Sequence, residues 1–117
     1  MSMVNYSGYN LEGALNAVGP GWAKLVRRLW EAKPEGVTVT QVKEKYGGLR
    51  WYYDGEYEDT YSQLVSDTEE ESYRTCETCG ELGETAPYRP GGWVRTLCPV
   101  CAAARRMGVK RELEASQ

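Results

Sequence analysis

The sequence predicts an α+β fold: a helix, a β-hairpin, a long helix, and then a four-cysteine zinc module of treble-clef-like order. Three observations lead there. Apolar residues recur at helical spacing after Pro20. Two strand-like runs flank Gly47-Gly48. Four cysteines stand in two C-x2-C pairs, Cys76/Cys79 and Cys98/Cys101, with 18 residues between the pairs. A zinc ribbon is the alternative architecture for the last part.

The elements follow in chain order. Asn10 is placed to cap a short helix running to Val18, weakened by Gly13. Gly19-Pro20-Gly21 is punctuation, and Pro20 suits a first helical turn. Trp22, Leu25, Val26, Leu29 and Trp30 then form an apolar stripe, and Pro34 and Gly36 end the helix. Val37–Tyr46 is rich in β-branched residues and reads as a strand. Gly47-Gly48 reads as the turn, and Leu49–Tyr53 as the return strand. Alternation puts Leu49, Trp51 and Tyr53 on one face. Val37 and Val39 agree in phase, while Val42 and Tyr46 do not, and a bulge near Gln41 reconciles them. Tyr57, Tyr61, Leu64, Val65, Thr68 and Ser72 trace a second helical stripe that should run almost to Cys76. The expected core is Trp22, Leu25, Leu29, Leu49, Trp51, Tyr61, Leu64 and Val65.

Cys76-Glu77-Thr78-Cys79-Gly80 reads as a zinc knuckle, with Gly80 permitting the turn after the second thiolate. Pro90-Gly91-Gly92 reverses a hairpin between Ala86–Arg89 and Trp93–Leu97. Cys98-Pro99-Val100-Cys101 opens a helix that Gly108 stops. Two hooks of this kind match a tetrahedral four-cysteine zinc site, since each turn aims both sulfurs at one ion about 2.3 Å away. Two disulfides or four buried thiols are the other readings of the same residues. The organisation expected is an α-β-β-α module over 1–74, a zinc module over 75–111 and a tail over 112–117, joined as one unit.

Composition narrows the chemistry. The 117 residues include nine Tyr, four Trp, no Phe and no His. Lack of histidine removes the commonest general base and the commonest ligand of a catalytic zinc. No phosphate-binding loop, dinucleotide fingerprint or nucleophile elbow is present. Four thiolates leave a zinc ion no open position, so the expected zinc is structural and the chain is not expected to be an enzyme. The nearest cluster that could serve a reaction is Lys43, Glu44, Lys45, Arg50 and Asp54.

Net charge is −3, but it is segregated: Asp54–Glu71 carries eight carboxylates and no cation, whereas the flanking stretches are basic. Such segregation either holds the modules together or presents surfaces to partners. Lys43, Lys45, Arg50 and Tyr52 are expected on one exposed hairpin face beside the glycine turn. Arg95, Arg105 and Arg106 are the candidate contacts on the zinc module, with Arg89, Lys110 and Arg111 nearby. Tyr, Trp and Arg favour protein interfaces, and the same residues suit nucleic acid. Met1–Gly8 has neither a basic n-region nor an apolar h-region, and no stretch reaches transmembrane length. A cytoplasmic protein without a membrane partner is expected.

The run Gln41–Asp54, QVKEKYGGLRWYYD, together with Gly21-Trp22, Thr75–Gly80, Gly92-Trp93 and Thr96–Ala102, resembles small uncharacterised zinc-finger proteins of tailed phages and prophages. Their segment reads approximately QVKEKFGGLRFYY, so Tyr46 and Trp51 stand where Phe is usual. The resemblance spans about residues 20–104, the reach of those motifs. It implies viral origin, a zinc finger and residence in the host cytoplasm. By association with small phage accessory proteins, it implies binding to a host protein complex that is modulated or inhibited, a defence system included. Direct nucleic-acid binding is the alternative, and an enzyme using the hairpin charges is third.

Overall fold

The computed structural model describes residues 9–88 and 91–106. In order these form α1 (Leu11–Asn16), a 3-10 turn (Pro20–Trp22), α2 (Ala23–Ala32), β1 (Val37–Lys45), β2 (Gly48–Gly55), α3 (Asp59–Ser72), β3 (Glu84–Tyr88), β4 (Trp93–Leu97) and α4 (Pro99–Arg106). Each hairpin makes its own two-stranded antiparallel sheet, so the class is α+β. Arg89, the Gly108 stop, Lys110, Arg111 and the 112–117 tail lie outside the described residues, as does the Arg106 side chain.

Local chemistry explains the helices. The Asn10 side chain accepts the Gly13 N–H at 2.7 Å and caps α1, which ends at Asn16 rather than Val18. Pro20 starts the 3-10 turn that feeds α2. Leu25, Val26 and Leu29 of α2 are buried, and Lys33 turns extended before Pro34. On α3, Tyr61, Val65, Thr68 and Ser72 are buried along one stripe. All eight expected core residues lie in one cluster, with Leu64 only partly buried.

The first hairpin has the expected bulge. Val39 pairs with Tyr53 and Gln41 with Tyr52, leaving Thr40 as the extra residue. The slip lets Val37, Val39 and Val42 all reach the core. The turn corrects the sequence reading. Lys45 pairs with Gly48, so the two central residues are Tyr46 and Gly47, with φ of 54° and 85°. Positive φ at both positions is the type I′ pattern that matches strand twist. Gly48 instead opens β2, where an added Cβ would fall 2.3 Å from the Tyr73 ring.

Helix α3 closes the outer edge of β2. The Leu49 N–H donates to Ser72 Oγ at 2.8 Å, and the Trp51 N–H donates to Glu69 Oε2 at 2.8 Å. Burial raises the Glu69 pKa, opposed by the Trp51 N–H and the Arg50 charge. Deeper in, Trp51 Nε1–H donates to the Tyr61 hydroxyl at 3.1 Å, and that hydroxyl donates to the Leu29 carbonyl at 3.0 Å. One chain of hydrogen bonds thus ties β2, α3 and α2. Outside it, Arg28 of α2 pairs with Glu71 of α3 at 2.7 Å.

A second buried cluster surrounds the cysteines. Hydrogen bonds between the two halves each end on a backbone carbonyl. Gly21 N–H donates to the Glu77 carbonyl at 2.9 Å, and Trp22 Nε1–H donates to the Thr75 carbonyl at 2.8 Å. Thr96 Oγ1–H donates to the Gly47 carbonyl at 2.7 Å, and Thr85 Oγ1–H to the Tyr73 carbonyl at 2.8 Å. Among the described residues no helix is long and apolar enough to cross a membrane.

Candidate metal centre and hairpin face

The two cysteine hooks meet because each is fixed by its own turn. The Gly80 N–H bonds the Cys76 carbonyl at 2.9 Å, with Gly80 at φ 86°, which closes the first hook. The Cys101 N–H donates to Cys98 Sγ at 3.3 Å in the first turn of α4, which shapes the second. The β3–β4 hairpin, paired from Glu84–Leu97 to Tyr88–Trp93, carries the chain from one hook to the other.

All four sulfurs lie within 4.8 Å of one another. A tetrahedron with metal–sulfur bonds of about 2.3 Å has sulfurs about 3.8 Å apart. Cys79 Sγ and Cys98 Sγ are 3.6 Å apart, and all four cysteines are free thiols. No disulfide joins these four cysteines in the structure, and the donor set fits one metal ion. Cys76, Cys98 and Cys101 are buried, with Cys79 half-buried. Burial works against ionising Cys98, yet the Cys101 N–H and the three neighbouring sulfur groups hold its pKa down at about 7. Burial and the sulfurs of Cys98, Cys76 and Cys79 push Cys101 up. A cation bound by these sulfurs must displace thiol protons.

Glu77, inside the first hook, is a residue that spacing arguments miss. It is only 7% exposed. Its carboxylate accepts the Thr96 N–H at 2.9 Å, while its own N–H donates to the Thr96 carbonyl at 2.9 Å. Arg95 lies 3.5 Å from the other carboxylate oxygen. Burial pushes the Glu77 pKa up, against the Thr96 N–H and the charges of Arg95 and Arg105. The first hook is therefore stitched to β4. The acid between two cysteines is the available sequence signal, because a carboxylate beside thiolates needs donors of its own.

The hairpin residues are brought together in part. Lys43 and Arg50 are directly cross-strand and half-buried, whereas Lys45 and Tyr52 are exposed. Lys43 Nζ lies 5.8 Å from the Tyr52 ring centroid and Lys45 Nζ 5.7 Å from that of Tyr46. Neither Lys43 nor Arg50 forms an ion pair among the described residues. The glycine turn beside this face is itself covered: Gly47 and Gly48 are buried against Thr85, Arg95 and Tyr73. The close backbone approach that glycine permits is used by the chain itself. Arg95 is likewise drawn to Glu77, and Arg105 acts on the same carboxylate, so both neutralise the metal-centre module. Compared with protein-family models, curated proteins and solved structures, the chain finds no match.

Proposed function

We propose that the chain is a small, non-enzymatic accessory protein of phage type that carries one structural zinc in a treble-clef-like module and binds a host protein complex to modulate or inhibit it. The clustering of four sulfurs within 4.8 Å carries the zinc reading. Cys76, Cys79, Cys98 and Cys101 would hold the ion, which supplies a cross-link and no vacant coordination position. Knuckle, hairpin, then ligands at a helix start is the treble-clef order, and it favours that label over a zinc ribbon. The phage and host terms rest on the resemblance of the Gln41–Asp54 segment.

Elemental analysis of protein purified without chelator should give one zinc per chain, and absence of zinc would end the reading. Binding at such sites contributes about 10–16 kcal/mol in isolated fingers, so Cys98→Ser should unfold residues 76–106. Capture from host lysate followed by mass spectrometry should name the partner. A Lys43→Glu/Arg50→Glu protein should lose it while keeping its zinc and its melting temperature.

One observation favours the nucleic-acid alternative. Like charges directly opposite on a strand pair are destabilising, yet Lys43 faces Arg50. With two lysines over tyrosine rings, that face suits an anionic, stacking partner. Log K falling by about 0.9 per phosphate contact as salt rises would identify duplex binding. No binding of DNA or RNA at low salt removes the alternative.

A further inference from the structure

The acidic stretch after β2 borders a cavity of about 580 Å³, lined by Ala32, Pro34, Glu56, Tyr57, Glu58, Thr60, Tyr61 and Leu64. That volume is within the range of ligand pockets. Its floor is apolar: Tyr61 is buried, and Leu64 and Pro34 are half-buried. Its rim is exposed and carries Glu56, Tyr57 and Glu58. The aromatic wall is held in place. Tyr57 meets Tyr53 edge-on at 4.9 Å, and Tyr53 meets Tyr61 edge-on at 5.2 Å. Tyr61 is in turn anchored through its hydroxyl to Trp51 and Leu29. Tyr57 is nonetheless 47% exposed, so one ring face is available.

Among the described residues the rim carboxylates have no paired cation. Neither Glu56 nor Glu58 forms an ion pair among the described residues. Glu58 is the residue before α3, but its side chain does not cap the helix. Lys33 lies between two lining residues, yet its ammonium donates to the Val37 carbonyl at 3.1 Å and sits over the Trp30 ring. The ammonium of Lys33 is thus committed to Val37 and Trp30.

We propose that this cavity receives an arginine side chain from a basic segment of a partner protein. A guanidinium stacks flat on a tyrosine face and forks its N–H groups onto carboxylates, which an ammonium cannot do. Cation–π attraction to Tyr57 and charge-assisted bonds to Glu56 and Glu58 act on the same planar group. The cavity is roomier than one side chain, which suits arginine together with the peptide that carries it. The inference deepens the binding-protein reading by giving the partner's chemistry at one point.

The test titrates the zinc-loaded, 15N-labelled full chain with acetyl-Gly-Arg-Gly-amide, and with counterparts bearing lysine or citrulline. Amide shifts should gather at residues 32–33 and 56–64, with arginine bound more tightly than lysine. Citrulline, matched in shape but uncharged, should bind more weakly by about tenfold to a hundredfold, the worth of a charge-assisted bond. Glu56→Gln/Glu58→Gln should show the same loss, whereas Glu84→Gln, remote from the cavity, should bind as the parent does. If that double variant fails to fold, the citrulline arm on the parent protein decides. Equal binding of arginine and citrulline, shifts centred elsewhere, or no shifts at millimolar peptide overturns the proposal. In that event the carboxylates only complement the N-terminus of α3. Zinc content and lysate capture, measured separately, would then still stand or fall on their own.

Discussion

Gly21→Ala tests whether the helical half and the first cysteine hook touch as described. A Cβ on residue 21 would lie 2.0 Å from the Cys76 carbonyl oxygen, 2.6 Å from the Gly80 nitrogen and 2.7 Å from the Glu77 carbonyl carbon. All three are backbone atoms, so no rotamer change relieves the clash. Overpacking of this kind costs about 1–3 kcal/mol. Loss of the Gly21–Glu77 hydrogen bond adds about 0.5–1.5 kcal/mol, and the better helical propensity of alanine returns about 0.5–1 kcal/mol. These ranges sum to about 0.5–4 kcal/mol, and about 2–3 kcal/mol is expected because all three contacts fall under 3.0 Å against backbone. With an unfolding entropy of about 2.1 cal/mol/K per residue, that lowers Tm by about 8–12 °C. Because the clash falls on the hook itself, zinc affinity should drop about 30- to 150-fold, the same free energy read as binding. Circular dichroism melts and competition with a chelating dye measure the two effects. Gly36→Ala is the control, since its Cβ would meet nothing nearer than 3.7 Å. If Gly21→Ala melts and binds zinc as the control does, the halves do not meet through this contact and the argument fails.

Three further outcomes follow from named contacts. Trp22→Phe strands the Thr75 carbonyl and should cost about 1–3 kcal/mol in denaturant titration. Tyr46→Gly removes a side chain from left-handed backbone at φ 54° and should stabilise by up to about 1 kcal/mol; a loss of stability would show that the Tyr46 ring matters more than its strain. Burial raises the Tyr61 pKa from 10.0 to about 12, against the lowering effect of the Trp51 hydrogen bond. A folded pKa above the unfolded one means stability present below pH 10 and lost as pH rises towards 12. Over that window the parent should lose up to about 1.4 kcal/mol per pH unit more than Tyr61→Phe, and parallel curves would refute the assignment.

What could be read from sequence had a short-range physical signature. The stripe on α2 and the two cysteine hooks show themselves through fixed spacing. The bulge at Thr40 showed itself because three valines cannot share a phase without it. The misplaced turn shows the limit. Three consecutive residues, Tyr46, Gly47 and Gly48, had to supply two turn positions, and glycine is the natural choice for both. What displaced the turn was Tyr73, 25 positions away, whose ring occupies the space beside Gly48. Glu77 escaped notice for the same reason, since its partner Thr96 is brought to it only by the second hairpin. The cavity beside Tyr57 needs α2, β2 and α3 in place before it exists.

The capping of β2 by α3 has a consequence for how the chain behaves in a crowd. A two-stranded sheet normally offers its bare flank as a template on which another polypeptide can crystallise into register. Here a serine and a glutamate stand in for the missing third strand at Leu49 and Trp51. Recruitment of a foreign strand along that flank must first peel the helix away. The helix is also what keeps Tyr61 under the core, so stickiness at this flank and loss of the native interior arrive together.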